Sequence, residues 1–176
     1  MTNVESINTI LRAQLIAQSG ISAELIRDAT TEYGAFLDTN SSGSIFESLT
    51  PANTALLFEL KTRESSTNMS RTNDDDSITF FRAYQLRVIL YGDNSGNVAN
   101  MLVARFRTEK VRNSLLVRGV YVETVSEPER ITEFKNNIVW QRNDIEINVS
   151  CEVELTQSSV DADFETFDEI HTTKRS

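Results

Sequence analysis

The sequence predicts an α+β fold, an antiparallel sheet of about four strands with helices packed on one face. Three observations carry that expectation. In residues 145–155, Ile145, Ile147, Val149, Cys151, Val153 and Leu155 alternate with Glu146, Asn148, Ser150, Glu152 and Glu154 without a fault. One apolar and one polar face suit an antiparallel strand lying over a core, whereas a strand buried on both sides would be apolar throughout. Tyr84, Leu86, Val88 and Leu90 repeat the alternation. At the start of the chain, Val4, Ile7, Ile10, Leu11, Leu15 and Ile16 recur at helical spacing, so an amphipathic helix precedes the strands.

That helix is expected over residues 4–17, capped by Thr2 or Asn3 and stopped by Gly20, since glycine accepts the left-handed backbone of a helix end. A weaker helical pattern in residues 22–37 runs through Leu25, Ile26, Ala29, Tyr33 and Phe36, against the interruptions of Thr30, Thr31 and Gly34. Turn-forming residues at 38–51 predict a loop. Residues 55–63 read as a strand, with Leu56, Phe58 and Leu60 facing the core and Glu59 and Lys61 facing water. Residues 64–77 are polar apart from Met69 and predict an exposed, mobile loop.

A long strand is expected at Ile78–Tyr91, closed by the turn formers Gly92 to Gly96. Asn97 then caps a helix that presents Val98, Met101, Leu102 and Phe106 and ends near Arg107. Residues 109–118 read either as a short helix or as an irregular connection, with Val111, Leu115 and Leu116 facing inward and Gly119 closing the segment. Val120–Val125 is a further strand, and Pro128 a break after it. An acidic segment, residues 158–176, ends the chain; within it Phe164, Phe167 and Ile170 fit one loose helix, and the last few residues fray. Neither a repeat nor a linker divides the chain, so 1–176 is read as a single domain with its core in about 4–157.

Composition narrows the function. With 39% apolar and 24% charged residues among 176, the chain has the balance of a folded globular domain. No apolar run is long enough to cross a bilayer, and the opening Met-Thr-Asn-Val-Glu-Ser is unlike a signal peptide, so synthesis in the cytosol is expected and no membrane partner. A net charge of −9 argues against sequence-specific DNA binding, which depends on clustered Lys and Arg. It suits a surface past which DNA slides without sticking.

Candidates for catalysis are few. His171 is the single histidine and lies in the acidic tail, read as solvated; Cys151 is the single cysteine and is read as buried. Together they supply no zinc site and no nucleophilic triad, and no cofactor is expected. Asp74, Asp75 and Asp76 offer carboxylates to a hard cation, but their spacing matches no calcium loop and the downstream glutamate is missing, so a solvated acidic loop is the simpler reading. Gly92-Asp93-Asn94-Ser95-Gly96 before a helix lacks the lysine of a phosphate-binding loop and reads as an ordinary turn. Arg105, Arg107, Lys110, Arg112 and Arg118 form one basic strip, either a solvated helix face or a contact for an acidic neighbour such as an identical subunit.

The order of these elements, the Arg118-Gly119-Val120 turn and the strand that starts Ile138-Val139-Trp140-Gln141-Arg142 together resemble the neck terminator or tail terminator proteins of tailed bacteriophages. Trp140 and Arg142 mark the most suggestive element, a Trp-x-Arg start to an alternating strand. The resemblance covers most of residues 4–157, with 64–77 and the segment after Leu155 as departures. It implies a tail-terminator-like fold and a non-catalytic subunit of a homohexameric ring. That ring would cap the tail tube or sheath, meet the head-completion (connector) proteins, and leave a channel for DNA. It places the protein in the virion neck, after assembly in the host cytoplasm, with Asp74, Asp75 and Asp76 as candidate lumen- or partner-facing residues and the basic strip as a candidate inter-subunit contact. A tube protein or a head-completion protein is the alternative within the same virion, and a small metal-assisted enzyme built on Asp74 to Asp76 the alternative outside it.

Overall fold

The computed structural model describes residues 4–29, 50, 52–63, 70–72, 78–135 and 137–155. Within them the chain runs α1 (Val4–Ser19), β1 (Ile26–Asp28), β2 (Ala55–Thr62), β3 (Ser70–Thr72), β4 (Ile78–Tyr91), α2 (Ser95–Arg107), α3 (Glu109–Leu116), β5 (Val120–Val125), β6 (Glu129–Lys135) and β7 (Ile138–Leu155). A single 3-10 turn, Ala23–Leu25, leads into β1.

Strands β4 and β7 form the spine. They pair antiparallel from Ile78 against Leu155 to Tyr91 against Arg142 with no shift of register. Because side chains alternate across a strand, this pairing puts Tyr84, Leu86, Val88 and Leu90 on the same face as Ile145, Ile147 and Val149. Strand β2 adds antiparallel to β4, Ala55 opposite Tyr91 and Leu56 opposite Leu90, which brings Leu56 and Phe58 to that face. The helices lie on it: Ile7, Leu11 and Leu15 of α1, Val98, Leu102 and Phe106 of α2, and Val111 and Leu115 of α3 join the strand residues in one buried cluster. A part-buried hydrogen bond ties the helices together, Gln14 Nε2 donating to Ser114 Oγ at 3.1 Å between α1 and α3.

The outer edge of β7 is covered by two strands in succession. Strand β6 pairs with its first part, Lys135 opposite Ile138 to Glu129 opposite Asp144, and β5 with its later part, Val125 opposite Ile147 to Val120 opposite Cys151. Where Pro128 interrupts this edge, Ser126 stands in for the missing ladder. Its N–H donates to the Glu146 carbonyl at 2.8 Å and its hydroxyl accepts from the Glu146 N–H at 2.9 Å.

The structure alters several sequence expectations. The sheet has seven strands among the described residues rather than about four, and it is mixed, because β1 runs parallel to β2. Residues 22–29 were expected to be helical; Ile26–Asp28 instead forms β1, held by Asn8 of α1, whose Nδ2 donates to Asp28 at 2.9 Å, and by Arg12, which donates to the Ala23 and Ile26 carbonyls. Tertiary hydrogen bonds have overridden a weak helical periodicity there. The expected loop 64–77 contains β3, paired with β4 at Ser70 to Phe80, and the rest of that loop lies outside the described residues. Strand β6 follows the break at Pro128, and β7 begins at Ile138 rather than Ile145. The cap of α2 is Asn94, with Asn97 in the first turn, its Nδ2 donating to Asn94 Oδ1 at 2.8 Å. Leu116, expected to face inward, is 46% exposed.

The second face of the sheet also departs from expectation. It is not wholly solvated: Ala29, Ala55, Leu57, Ile89, Tyr91 and Trp140 form a second buried cluster there. The proposed caps Thr2 and Asn3, the residues 30–37 of the second helix and the acidic C-terminal segment fall outside the described residues.

Candidate assembly surface

The Trp-x-Arg start of β7 is built into the second face rather than displayed on the surface. Trp140 is 2% exposed and packs with Leu57, Ile89 and Tyr91. Two positions on, and therefore on the same face, Arg142 donates through Nε and Nη2 to the two oxygens of Asp144, each at 2.6 Å, and through Nη1 to Glu133 of β6. Arg87 of β4 donates to the same Asp144 carboxylate at 2.8 Å, the Tyr91 hydroxyl donates to Glu133 at 3.1 Å, and the Arg142 guanidinium lies 5.9 Å from the centre of the Tyr91 ring. The hydrogen bond to Asp144, then burial working against it and the Glu133 hydrogen bond, leave the Arg142 pKa raised, so its charge is permanent. Two arginines and two carboxylates thus clasp β4, β6 and β7 across the sheet.

The basic strip divides in two. Arg105 Nη1 donates to the Gln18 carbonyl at the end of α1 at 2.5 Å, and Arg107 donates to the Val125 carbonyl at 2.9 Å while pairing with Glu127 at 2.7 Å. These two arginines fasten α2 to its own chain. Lys110, Arg112 and Arg118 are exposed on and just after α3, with no ion pair among the described side chains. The reason is local: Thr108 caps α3, its hydroxyl accepting from the Val111 N–H at 3.5 Å, and this turns Val111 and Leu115 inward and the charged residues outward.

Large apolar side chains are exposed at two ends of β7. At the β6–β7 hairpin, Phe134, Ile138 and Val139 are 69%, 40% and 53% exposed. At the far end, beside Val120 opposite Cys151, α3 presents Leu116 and Val117, the latter 88% exposed, and Phe81 meets Tyr121 edge to face at 5.6 Å. The hairpin was missed in the sequence, although Lys135-Asn136-Asn137 between apolar residues is a turn signal and Asn137 takes the left-handed backbone that asparagine tolerates.

The turn formers at 92–96 divide between a turn at 92–94 and the start of α2 at Ser95. Asp93, Ser95, Gly96 and Asn97 line a shallow cleft of about 160 Å³ with Arg130, Gln141 and Asn143. Its polar groups are mutually engaged: Asn143 Nδ2 donates to Ser95 Oγ at 2.8 Å, and Arg130 donates twice to Gln141 Oε1. Among the described residues no group of His, Cys, Asp and Glu is arranged to hold a metal. Cys151 is buried in the main core, where desolvation pushes its thiol up to about 12. Asp74, Asp75, Asp76 and His171 lie outside the described residues.

The sequence model of one protein family, described as phage neck terminator protein, matches residues 50–173. The chain belongs to the phage neck terminator family. The match takes in β2 through β7, so the terminator core is the sheet with α2 and α3. It also takes in 64–77 and most of the acidic C-terminal segment, the two stretches expected to depart from the family, and it leaves out α1 and β1. A terminator of this family is a structural component of the phage neck. No curated protein matches the chain in sequence.

Proposed function

We propose that this terminator assembles as a homohexameric ring that closes the tail tube or sheath, joins it to the head-completion proteins, and leaves a channel through which DNA passes. The observation that carries the reading is the family match across the whole spine of the sheet. Two features support it. The net charge of −9 gives phosphates little to hold on to. A closed ring needs two unlike patches on each subunit, and exposed apolar side chains stand at both ends of β7. The role is structural, with no catalytic step and no cofactor. Lys110, Arg112 and Arg118 are the part of the basic strip available to a neighbouring subunit, and Asp74, Asp75 and Asp76 are the candidate lumen- or partner-facing residues.

The test is the mass and copy number of the protein in assembled particles. One ring's worth of copies at the neck, in a complex that retains tube or sheath and connector proteins, is the expected outcome. A copy number of many stacked rings would instead identify a tube subunit, and a stable complex with connector proteins alone a head-completion protein.

A further inference from the structure

We propose that the outward face of α3 is the docking surface for the acidic segment 160–170 of a second copy of this chain. The proposal rests on the ring reading and names the surfaces by which the ring closes. The receiving face consists of Lys110, Arg112 and Arg118 around Leu116 and Val117, all exposed. In the single chain the adjacent Leu116 and Val117 are 46% and 88% exposed, an apolar pair rimmed by cations that a neighbouring molecule would cover.

The chemistry of the occupant is written in the sequence. Residues 160–170 read Val-Asp-Ala-Asp-Phe-Glu-Thr-Phe-Asp-Glu-Ile, with acids at Asp161, Asp163, Glu165, Asp168 and Glu169 and aromatic anchors at Phe164 and Phe167. Positive charge around an aliphatic centre on one surface thus meets negative charge around aromatic residues on the other. Buried apolar contacts would supply affinity, and the surrounding charges register and partner choice. Glu109, beside Lys110 in the first turn of α3, serves the helix N-terminus, and the face as a whole keeps three cations to this one acid. The family match extends to residue 173, so this segment belongs to the part of the chain that the family shares. A donor segment and an acceptor face that differ from each other make a head-to-tail contact, the kind that closes into a ring.

Cysteine pairing between two differently tagged full-length chains tests the contact, one carrying Val117→Cys and the other Phe164→Cys, with buried Cys151 left in place. Mild oxidation of the mixture, and of particles assembled from it, is expected to give a disulfide that joins the chains bearing the two different tags, and a control chain with Asn137→Cys at the hairpin should give none with Phe164→Cys. Adding Lys110→Glu, Arg112→Glu and Arg118→Glu should reduce the yield at least tenfold, and Asp161→Lys, Asp163→Lys and Glu165→Lys on the opposite chain should restore it. Rings of unchanged mass with no such disulfide overturn this surface and leave the ring reading standing. A disulfide formed only within one chain carrying both cysteines also overturns it. Absence of any ring, in solution and in particles, removes both readings.

Discussion

Arg142 grips Asp144 through two parallel hydrogen bonds of 2.6 Å, although the two residues are only two positions apart on one strand. A carboxylate 6% exposed is stable there because the guanidinium, with Arg87 on its other side, supplies the hydrogen bonds that water would otherwise give. Removing Arg142 leaves the buried Asp144 and the half-buried Glu133 as charges with fewer partners. Arg142→Ala is expected to cost about 3–5 kcal/mol, read as a lower midpoint in urea denaturation. Arg142→Lys should recover only part, because an ammonium cannot match the two-pronged geometry. An Arg142→Ala protein as stable as the parent would show that this clasp contributes nothing.

Two glycines with left-handed backbone should respond differently to alanine. Gly92 has φ 115°, and a Cβ there would sit 1.9 Å from the Asn53 carbonyl oxygen, an overlap of backbone on backbone. Gly20 has φ 70° with open space around it. Gly20→Ala is expected to cost roughly 1–2 kcal/mol, the strain of the conformation alone. Gly92→Ala must also push β2 away from the end of β4 and should lower the melting temperature well beyond the Gly20 variant. Equal shifts in calorimetry would refute the steric account.

Cys151 ties stability to alkaline pH. Burial favours the neutral thiol, so the folded value stands at about 12 against 9.0 for an ordinary thiol. Below the unfolded value this contribution is complete; as pH rises from 9 toward 12 the unfolded thiol ionises while the folded one does not, and stability falls. Burial likewise raises the Tyr84 hydroxyl and acts in the same direction. Denaturation midpoints across that range should decline less steeply for Cys151→Ala than for the parent. A thiol reagent at neutral pH should label Cys151 at the rate of unfolding rather than at the rate of an exposed cysteine.

Arg107 reaches the Val125 carbonyl and Glu127, yet its side chain is 46% exposed and that of Glu127 75%. Solvent screening leaves such a pair worth less than about 1 kcal/mol. Arg107→Ala is therefore expected to fold with nearly parental stability and to assemble normally, in contrast to charge reversal on α3. Loss of assembly in Arg107→Ala would return this residue to the intersubunit contact.

What could be read from the sequence divides along physical lines. The middle of β4 around Tyr84 to Val88, Val120–Val125 and the later part of β7 were legible because each has one face in the core and a wetter one opposite, which writes a period of two into the chain; at Ile89 and Tyr91 the second face is buried as well. The start of β7 was recognisable as a Trp-x-Arg pattern, but its role was not: Trp140 packs into a second cluster that depends on Leu57 and Ile89, far away in sequence, and Arg142 reaches Glu133 across a hairpin that the sequence expectation lacked. Strand β1 was hidden because three residues cannot display a period, and what holds them in place is Asn8 and Arg12 on α1. The same limit applied to the basic strip. Five cations close in sequence were visible, but which were already taken depended on where the Gln18 and Val125 carbonyls ended up.

The unbroken register of β4 against β7 has a mechanical meaning for a part that sits in a junction. Rungs of an antiparallel ladder lie across the strands. A pull along β4, from the Ile78 end to the Tyr91 end, therefore loads the rungs between Ile78·Leu155 and Tyr91·Arg142 together, as shear, and none can open before its neighbours. Tension at right angles would peel the same rungs one after another, starting from whichever end is grasped. A subunit whose neighbours take hold at the two ends of this ribbon is stiff along the ribbon's length and yields most easily across it.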